Sequence, residues 1–176
     1  LDPEVEKMLH YYNEKIYFVE NKGQLEKPIL FNARFKLGSA SVMQDGVLMR
    51  TYLPEDLSAR SEQSMRQEIA QSEGRAFTEE IISIRSHAWK MKFVNHLSSM
   101  KIESSGKHSD KFNYFKGNVH ATDVASYQEI WYNNVYNNVD VRYYPAVDGS
   151  LEYDIVCKKG FNPKDLMIQL EGISKM

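Results

Sequence analysis

The chain has 176 residues, 42% of them hydrophobic, and a formal net charge of −2. That is enough chain for one domain with a sizeable core, too apolar for a disordered polymer, and too nearly neutral for any general pull toward nucleic acid or an anionic membrane. No run approaches the ~20 apolar residues of a membrane-spanning helix, and the one cysteine, Cys157, has no partner for an internal disulfide.

Residues 2–13 read as a helix. Asp2 caps, Pro3 suits the first helical position, and Val5, Met8, Leu9 and Tyr12 fall on one face. The chain starts at Leu1 rather than Met, which reads as a processed or excised piece from which a signal peptide has gone. Residues 16–20 form a short strand turned by Asn21-Lys22-Gly23, and a second strand covers 29–36. Residues 39–53 form a hairpin around Gln44-Asp45-Gly46. The stretch 54–80 is polar and poor in aromatics, with helix-forming composition over 61–72; it reads as an exposed insertion, a linker between two domains being the alternative. Strands follow at 81–86 and 87–94. In the second, His87, Trp89, Met91 and Phe93 share one face and Lys90 and Lys92 the other, as in a half-buried antiparallel strand. Further strands cover 100–104, 112–115 and 127–132, with an asparagine-rich corner over 133–138 and a last strand over 166–170. The aromatic run Phe112-Asn113-Tyr114-Phe115 is expected to plug one end of the fold.

The centre of the chain is 139–157, two alternating runs joined by Val147-Asp148-Gly149. A three-residue loop with Gly149 left-handed sets Val141 opposite Ile155, Tyr143 opposite Tyr153 and Pro145 opposite Leu151, with Arg142 opposite Asp154 on the other face. A two-residue loop would exchange the faces of one strand, so the longer loop is favoured. Cys157 then falls on the apolar face and is expected to be a buried thiol. The whole reads as a mainly β protein, an antiparallel β-sandwich with a short N-terminal helix and a polar, partly helical insertion; a strongly curved or barrel-like sheet is the runner-up. Residues 16–176 are expected to form one β-domain.

Several phrases carry a family resemblance: Phe18-Val19-Glu20-Asn21-Lys22-Gly23-Gln24, Asn113-Tyr114-Phe115-Lys116-Gly117-Asn118, Val135-Tyr136-Asn137-Asn138-Val139-Asp140-Val141 with Tyr143-Tyr144, Leu151-Glu152-Tyr153-Asp154, Gly160 and Pro163, and Leu170-Glu171-Gly172. Together they resemble the N-terminal domain of unknown function that precedes SBBP-type β-propeller repeats and heads large Bacteroidetes surface proteins with gliding-motility-type sorting domains. The resemblance implies an exported, extracellular or cell-surface module of a longer bacterial polypeptide. It assigns no catalytic residue. That family domain usually continues past the Leu-Glu-Gly strand, so an edge near Leu166 and Leu170 is expected to lack a neighbour and to invite a homodimer.

The aromatics are the best functional lead. Trp131 and Tyr132 are adjacent and point to opposite faces of a strand, so one belongs to the core. The other, with Tyr144, would form a shelf for a sugar ring, with Asn133 and Asn134 as hydrogen-bond partners. Glu152 and Asp154 share a face, with Asp140 nearby in register. A glycan-active enzyme using Glu152 and a second carboxylate is the rival reading. The five histidines, His10, His87, His96, His108 and His120, show no metal-binding spacing. No nucleotide-binding loop or nucleophile motif is present. The expectation is therefore a non-catalytic module without cofactor or metal, binding a glycan or another surface protein and no nucleic acid.

Overall fold

The computed structural model describes residues 16–35, 37–146 and 148–173. The helix expected over 2–13 lies outside them.

Twelve strands and one α-helix are described: β1 (Phe18–Glu20), β2 (Ile29–Phe35), β3 (Gly38–Met43), β4 (Gly46–Tyr52), α1 (Pro54–Ser72), β5 (Ser86–Phe93), β6 (Lys101–Lys107), β7 (Phe112–Lys116), β8 (Val119–Val124), β9 (Ser126–Tyr136), β10 (Val139–Pro145), β11 (Leu151–Cys157) and β12 (Ile168–Glu171). Ten of them make one antiparallel sheet in the order β11-β10-β9-β1-β2-β3-β4-β5-β12, with β6 on a further edge of β9; β7 and β8 form a separate two-stranded ribbon. The sheet curls into a half-barrel. A sandwich with a second full sheet is not confirmed, and the curved-sheet alternative describes the pairing better.

The curl turns on β9, which runs for 11 residues. It pairs with β10 through Tyr132, Trp131 and Ile130, and with β1 through Tyr127 and Ser126. A strand shared in this way bends the sheet, so that the inner face of β9 and β10 meets the inner face of β3, β4 and β5. Phe18, Val42, Val47, Phe93, Ile130, Tyr132, Val139 and Val141 are sealed in the middle. Phe93 and Tyr132 meet edge to face with ring centres 5.0 Å apart.

The β10–β11 hairpin has the predicted register: Val141 faces Ile155, Arg142 faces Asp154, Tyr143 faces Tyr153 and Pro145 faces Leu151. Ala146 N–H bonds Ser150 O at 2.8 Å, and Gly149 has φ 80°, so the three-residue loop holds. The β3–β4 hairpin differs from it. Met43 pairs with Gly46, which leaves only Gln44 and Asp45 in the loop and makes Gly46 the first residue of β4. Gly46 has φ 148°, and a Cβ there would sit 2.0 Å from Met91 O, so this glycine serves a close strand approach as well as a turn.

Other expectations need correction. Residues 81–85 join no ladder, and β5 begins at Ser86. The helix starts at Pro54, seven residues before the predicted stretch, with Pro at the first turn and Glu55 and Asp56 behind it. Strand β9 runs through the asparagine-rich corner. Asn134, at φ 55°, sits in a bulge that sets residues 133–135 against Asp140 alone, and the true turn is Asn137-Asn138. Phe112 and Phe115 lie in the β7–β8 ribbon and are exposed, so they plug nothing. Cys157 is exposed: it ends β11, which pairs with β10 alone among the described residues.

Candidate functional site

The outer face of β6, β9, β10 and β11 collects most of the predicted site residues. Register puts Glu103, Trp131, Arg142 and Asp154 in one row across the four strands. Ser105 and Glu129 stand in the neighbouring row, and Tyr144 and Glu152 face each other beside them. Arg142 is the hub. Its guanidinium bonds Glu129 Oε1 at 2.6 Å and lies 3.7 Å from Asp154 Oδ2. Its Cζ is 4.3 Å from the Tyr144 ring centre and 5.5 Å from that of Trp131, within cation–π range of both. Trp131 Nε1–H donates to Glu129 Oε2 at 3.0 Å, Ser105 Oγ–H donates to the same oxygen at 3.1 Å, and Tyr144 O–H donates to Asp154 Oδ1 at 3.1 Å.

Trp131 and Tyr144 therefore share a half-buried face, but Arg142 occupies the space a sugar ring would take. Asn133 stands on the same face and donates to Glu103 Oε2 at 2.9 Å. Asn134 is exposed at the bulge, where its backbone N–H donates to Asp140 Oδ1 at 2.8 Å. Tyr132 points the other way. It is fully buried, and its O–H is shared between the carbonyls of Met43 and Gly46, each at 2.8 Å. Desolvation pushes its pKa well above the ordinary tyrosine value, so it stays a neutral donor.

The carboxylates do not converge as the register suggested. Asp140 is buried and pairs with Lys158, away from Glu152. The main partner of Arg142 is Glu129, which sequence reasoning missed because the pairing crosses from β9 to β10. Burial raises the Glu129 pKa, but hydrogen bonds from Trp131, Arg142 and Ser105 outweigh it and hold it below the usual 4.5. Among the described residues no group of three or more His, Cys, Asp or Glu side chains is placed to hold a metal ion.

A cleft crosses the outer face of β2, β3 and β4, on the other arm of the half-barrel. Its larger part has a volume of about 840 Å3 and lies between the β1–β2 loop and the first turns of α1. A second cavity of about 390 Å3 adjoins it on the side of the β7–β8 ribbon, and the two share Gln24, Leu25, Asn32 and Arg34 in their linings. Tyr17, Phe112 and Tyr114 stand at the ribbon end and Tyr52 at the helix end. The floor is polar because outward positions of β2 and β3 carry Asn32, Arg34, Ser39 and Ser41, whereas the inward Ala33, Ala40 and Val42 fill the core.

Two local devices hold the walls. Asn21 organises the β1–β2 loop: its amide N–H groups donate to the carbonyls of Leu25, Glu26 and Ile29, and its Oδ1 accepts from Gly23 and Leu25 N–H. At the helix end, Asp56 of α1 accepts Arg85 backbone N–H, Nε–H and a terminal guanidinium N–H, all at 2.8–2.9 Å. Those bonds lower the Asp56 pKa below its ordinary value. No pattern in any one segment announces this cleft, since its lining comes from the β1–β2 loop, five strands and a helix.

No curated protein and no solved structure matches the chain. A family model described as "Domain of unknown function (DUF7948)" matches residues 18–176, and the chain belongs to that family.

Proposed function

We propose that this chain is a non-catalytic binding module that holds a glycan in the cleft over β2, β3 and β4. The observation that carries the reading is a pair of adjoining cavities that share Gln24, Leu25, Asn32 and Arg34, with aromatic rings at their outer ends and amide and hydroxyl groups along the floor. Aromatic faces with convergent polar groups are what a carbohydrate needs for stacking and for hydroxyl recognition. The Trp131 shelf is the weaker site, because Arg142 already covers it. An exported, surface-exposed setting within a larger bacterial protein accords with the sequence phrases beginning Phe18-Val19-Glu20 and with the near-neutral composition.

The enzymatic alternative needs a carboxyl group that holds its proton near neutral pH. Glu129 is shifted the opposite way, and neither Glu152 nor Asp154 lines the cleft. A protein ligand in the cleft is the competing occupant. A glycan array on the whole chain tests the reading. Retention is expected to survive Trp131→Ala and to fail in Tyr52→Ala and Tyr114→Ala variants that still melt cooperatively. Loss of retention in Trp131→Ala alone would move the site back to the outer face of β9 and β10.

A further inference from the structure

We infer that the ligand of the cleft is a sparsely anionic polysaccharide, one bearing carboxylates or sulfates on some of its units; this rests on the cleft being the ligand site. Arg34, Ser39 and Arg50 fall in one row across β2, β3 and β4. The two arginines are therefore two strand spacings apart, about 9.5 Å between backbones. Arg60 of α1 lines the same cleft from the helix side. All three side chains are exposed, and none makes an ion pair or hydrogen bond among the described residues.

That contrasts with the cations around them. Lys90 is paired with Asp45, Lys92 with Glu171 and Arg85 with Asp56. Among the described residues Glu26 is the one carboxylate in the lining. Three guanidinium groups set against one carboxylate in a shared groove repel one another, and an anionic ligand removes that cost. Guanidinium groups suit carboxylate and sulfate because the planar fork donates two parallel hydrogen bonds.

The groups between the arginines choose the polymer. Ser39 and Ser41 present hydroxyls, whereas the Gln24 amide is held within its own loop by Glu20 O and Lys22 N–H. The Asn32 amide nitrogen is held by Ala40 O at 3.1 Å and Ser41 Oγ at 3.0 Å, which leaves its Oδ1 to accept from a sugar hydroxyl. Such spacing fits a chain whose charged units are separated by neutral, hydroxyl-rich ones. A nucleic acid carries a charge on every unit and calls for a denser basic track.

The test is equilibrium binding of the whole chain to hyaluronan and to highly methyl-esterified polygalacturonate, whose carboxylates are separated by neutral units, with dextran as neutral polymer and polyglutamate and single-stranded DNA as charge controls. Binding to an acidic polysaccharide is expected, about tenfold weaker in Arg34→Ala and again in Arg50→Ala, and weakened by 0.5 M salt. Neither variant should lower the melting temperature, since neither side chain has a partner to lose. Dextran bound equally well, with binding lost in Tyr52→Ala but kept in the arginine variants, would overturn the anionic assignment and leave the cleft standing. Polyglutamate or DNA bound as tightly as the polysaccharide would overturn the carbohydrate class. No binding by any polymer would remove the cleft reading itself.

Discussion

Replacing Tyr132 by Phe removes one oxygen from the centre of the molecule and nothing else. The ring remains against Phe93 at 5.0 Å and Tyr143 at 6.0 Å, so packing is preserved. What goes is a hydroxyl that holds the carbonyls on both sides of the β3–β4 loop, each at 2.8 Å, from a strand on the opposite arm of the curl. A net buried hydrogen bond is worth about 1 kcal/mol, and leaving a buried acceptor without a partner costs about 1–3 kcal/mol. Two acceptors share one donor here, and each carbonyl has a second lone pair, so the expected loss is about 2 kcal/mol. For a domain of 150–250 residues that lowers the melting temperature by about 4–8 °C. Urea titration followed by far-UV circular dichroism should show a lower midpoint with an unchanged m-value. Ligand retention should be unaffected. A melting temperature within 1 °C of the parent, or lost binding without lost stability, would refute the placement of Tyr132 as the pin across the half-barrel.

Asp56→Asn should loosen the first turns of α1 without unfolding the sheet, read as faster amide exchange confined to residues 54–72 and reduced affinity in the cleft. Gly38→Ala should destabilise by about 1–3 kcal/mol in urea titration, because a Cβ there would meet Arg50 O at 2.1 Å. Burial raises the pKa values of Glu20, Asp45 and Glu129, but their hydrogen bonds and cations outweigh it and hold all three below the ordinary 4.5, 3.8 and 4.5. Carboxylates of depressed pKa contribute stability that is full above those ordinary values and lost as pH falls through the lower folded ones. The urea midpoint should therefore drop steeply below about pH 4.5, and Glu129→Gln should flatten part of that slope. Strand β12 pairs with β5 alone among the described residues, and Leu170 on it is 51% exposed. Light scattering should show self-association that grows with concentration and is relieved by Leu170→Lys; a monomer at every concentration tested would assign that edge no partner.

The elements legible in the sequence were those whose signal is local. Alternation through Val141, Tyr143, Tyr153 and Ile155, closed by Gly149, fixes both the faces and the register of β10 and β11, because a one-residue slip would expose an entire apolar face. The lysine face and the apolar face of β5 follow from the same period. Strand β8 is not legible in the sequence, because Val119-His120-Ala121-Thr122-Asp123-Val124 has no clean alternation and owes its state to pairing with β7. The helix begins earlier than composition over 61–72 suggests, because Pro54, Glu55 and Asp56 form the stronger start signal. Cys157 was placed on the correct strand but given the wrong exposure, since alternation reports a face and says nothing about whether a second layer covers it. Tyr132 and Trp131 were rightly set on opposite faces, and only the Tyr132 hydroxyl's reach to Met43 and Gly46 decides which is core.

Charge was the quantity that composition concealed most. A net charge of −2 looks neutral, yet register sorts the charges by arm. Glu103, Glu129, Glu152 and Asp154 gather on the outer face of β6, β9, β10 and β11 around Arg142, while Arg34, Arg50 and Arg60 gather at the cleft with Glu26. On the first of these faces Arg142 lies under the carboxylates and is neutralised in place, with Lys101 and Lys107 farther along the same face of β6. On the other arm the arginines face open space without a counterion among the described residues. Arg34 and Arg50 are separated by 16 positions in the sequence and by one strand in the sheet. Their proximity is produced by the β2–β3 and β3–β4 turns, and that of Arg60 by the helix anchor at Asp56. A sum over residues cannot see such a field. An approaching polymer does, because screening at physiological salt limits it to nearby charges, within about 8 Å, and the cations that line the cleft are Arg34, Arg50 and Arg60.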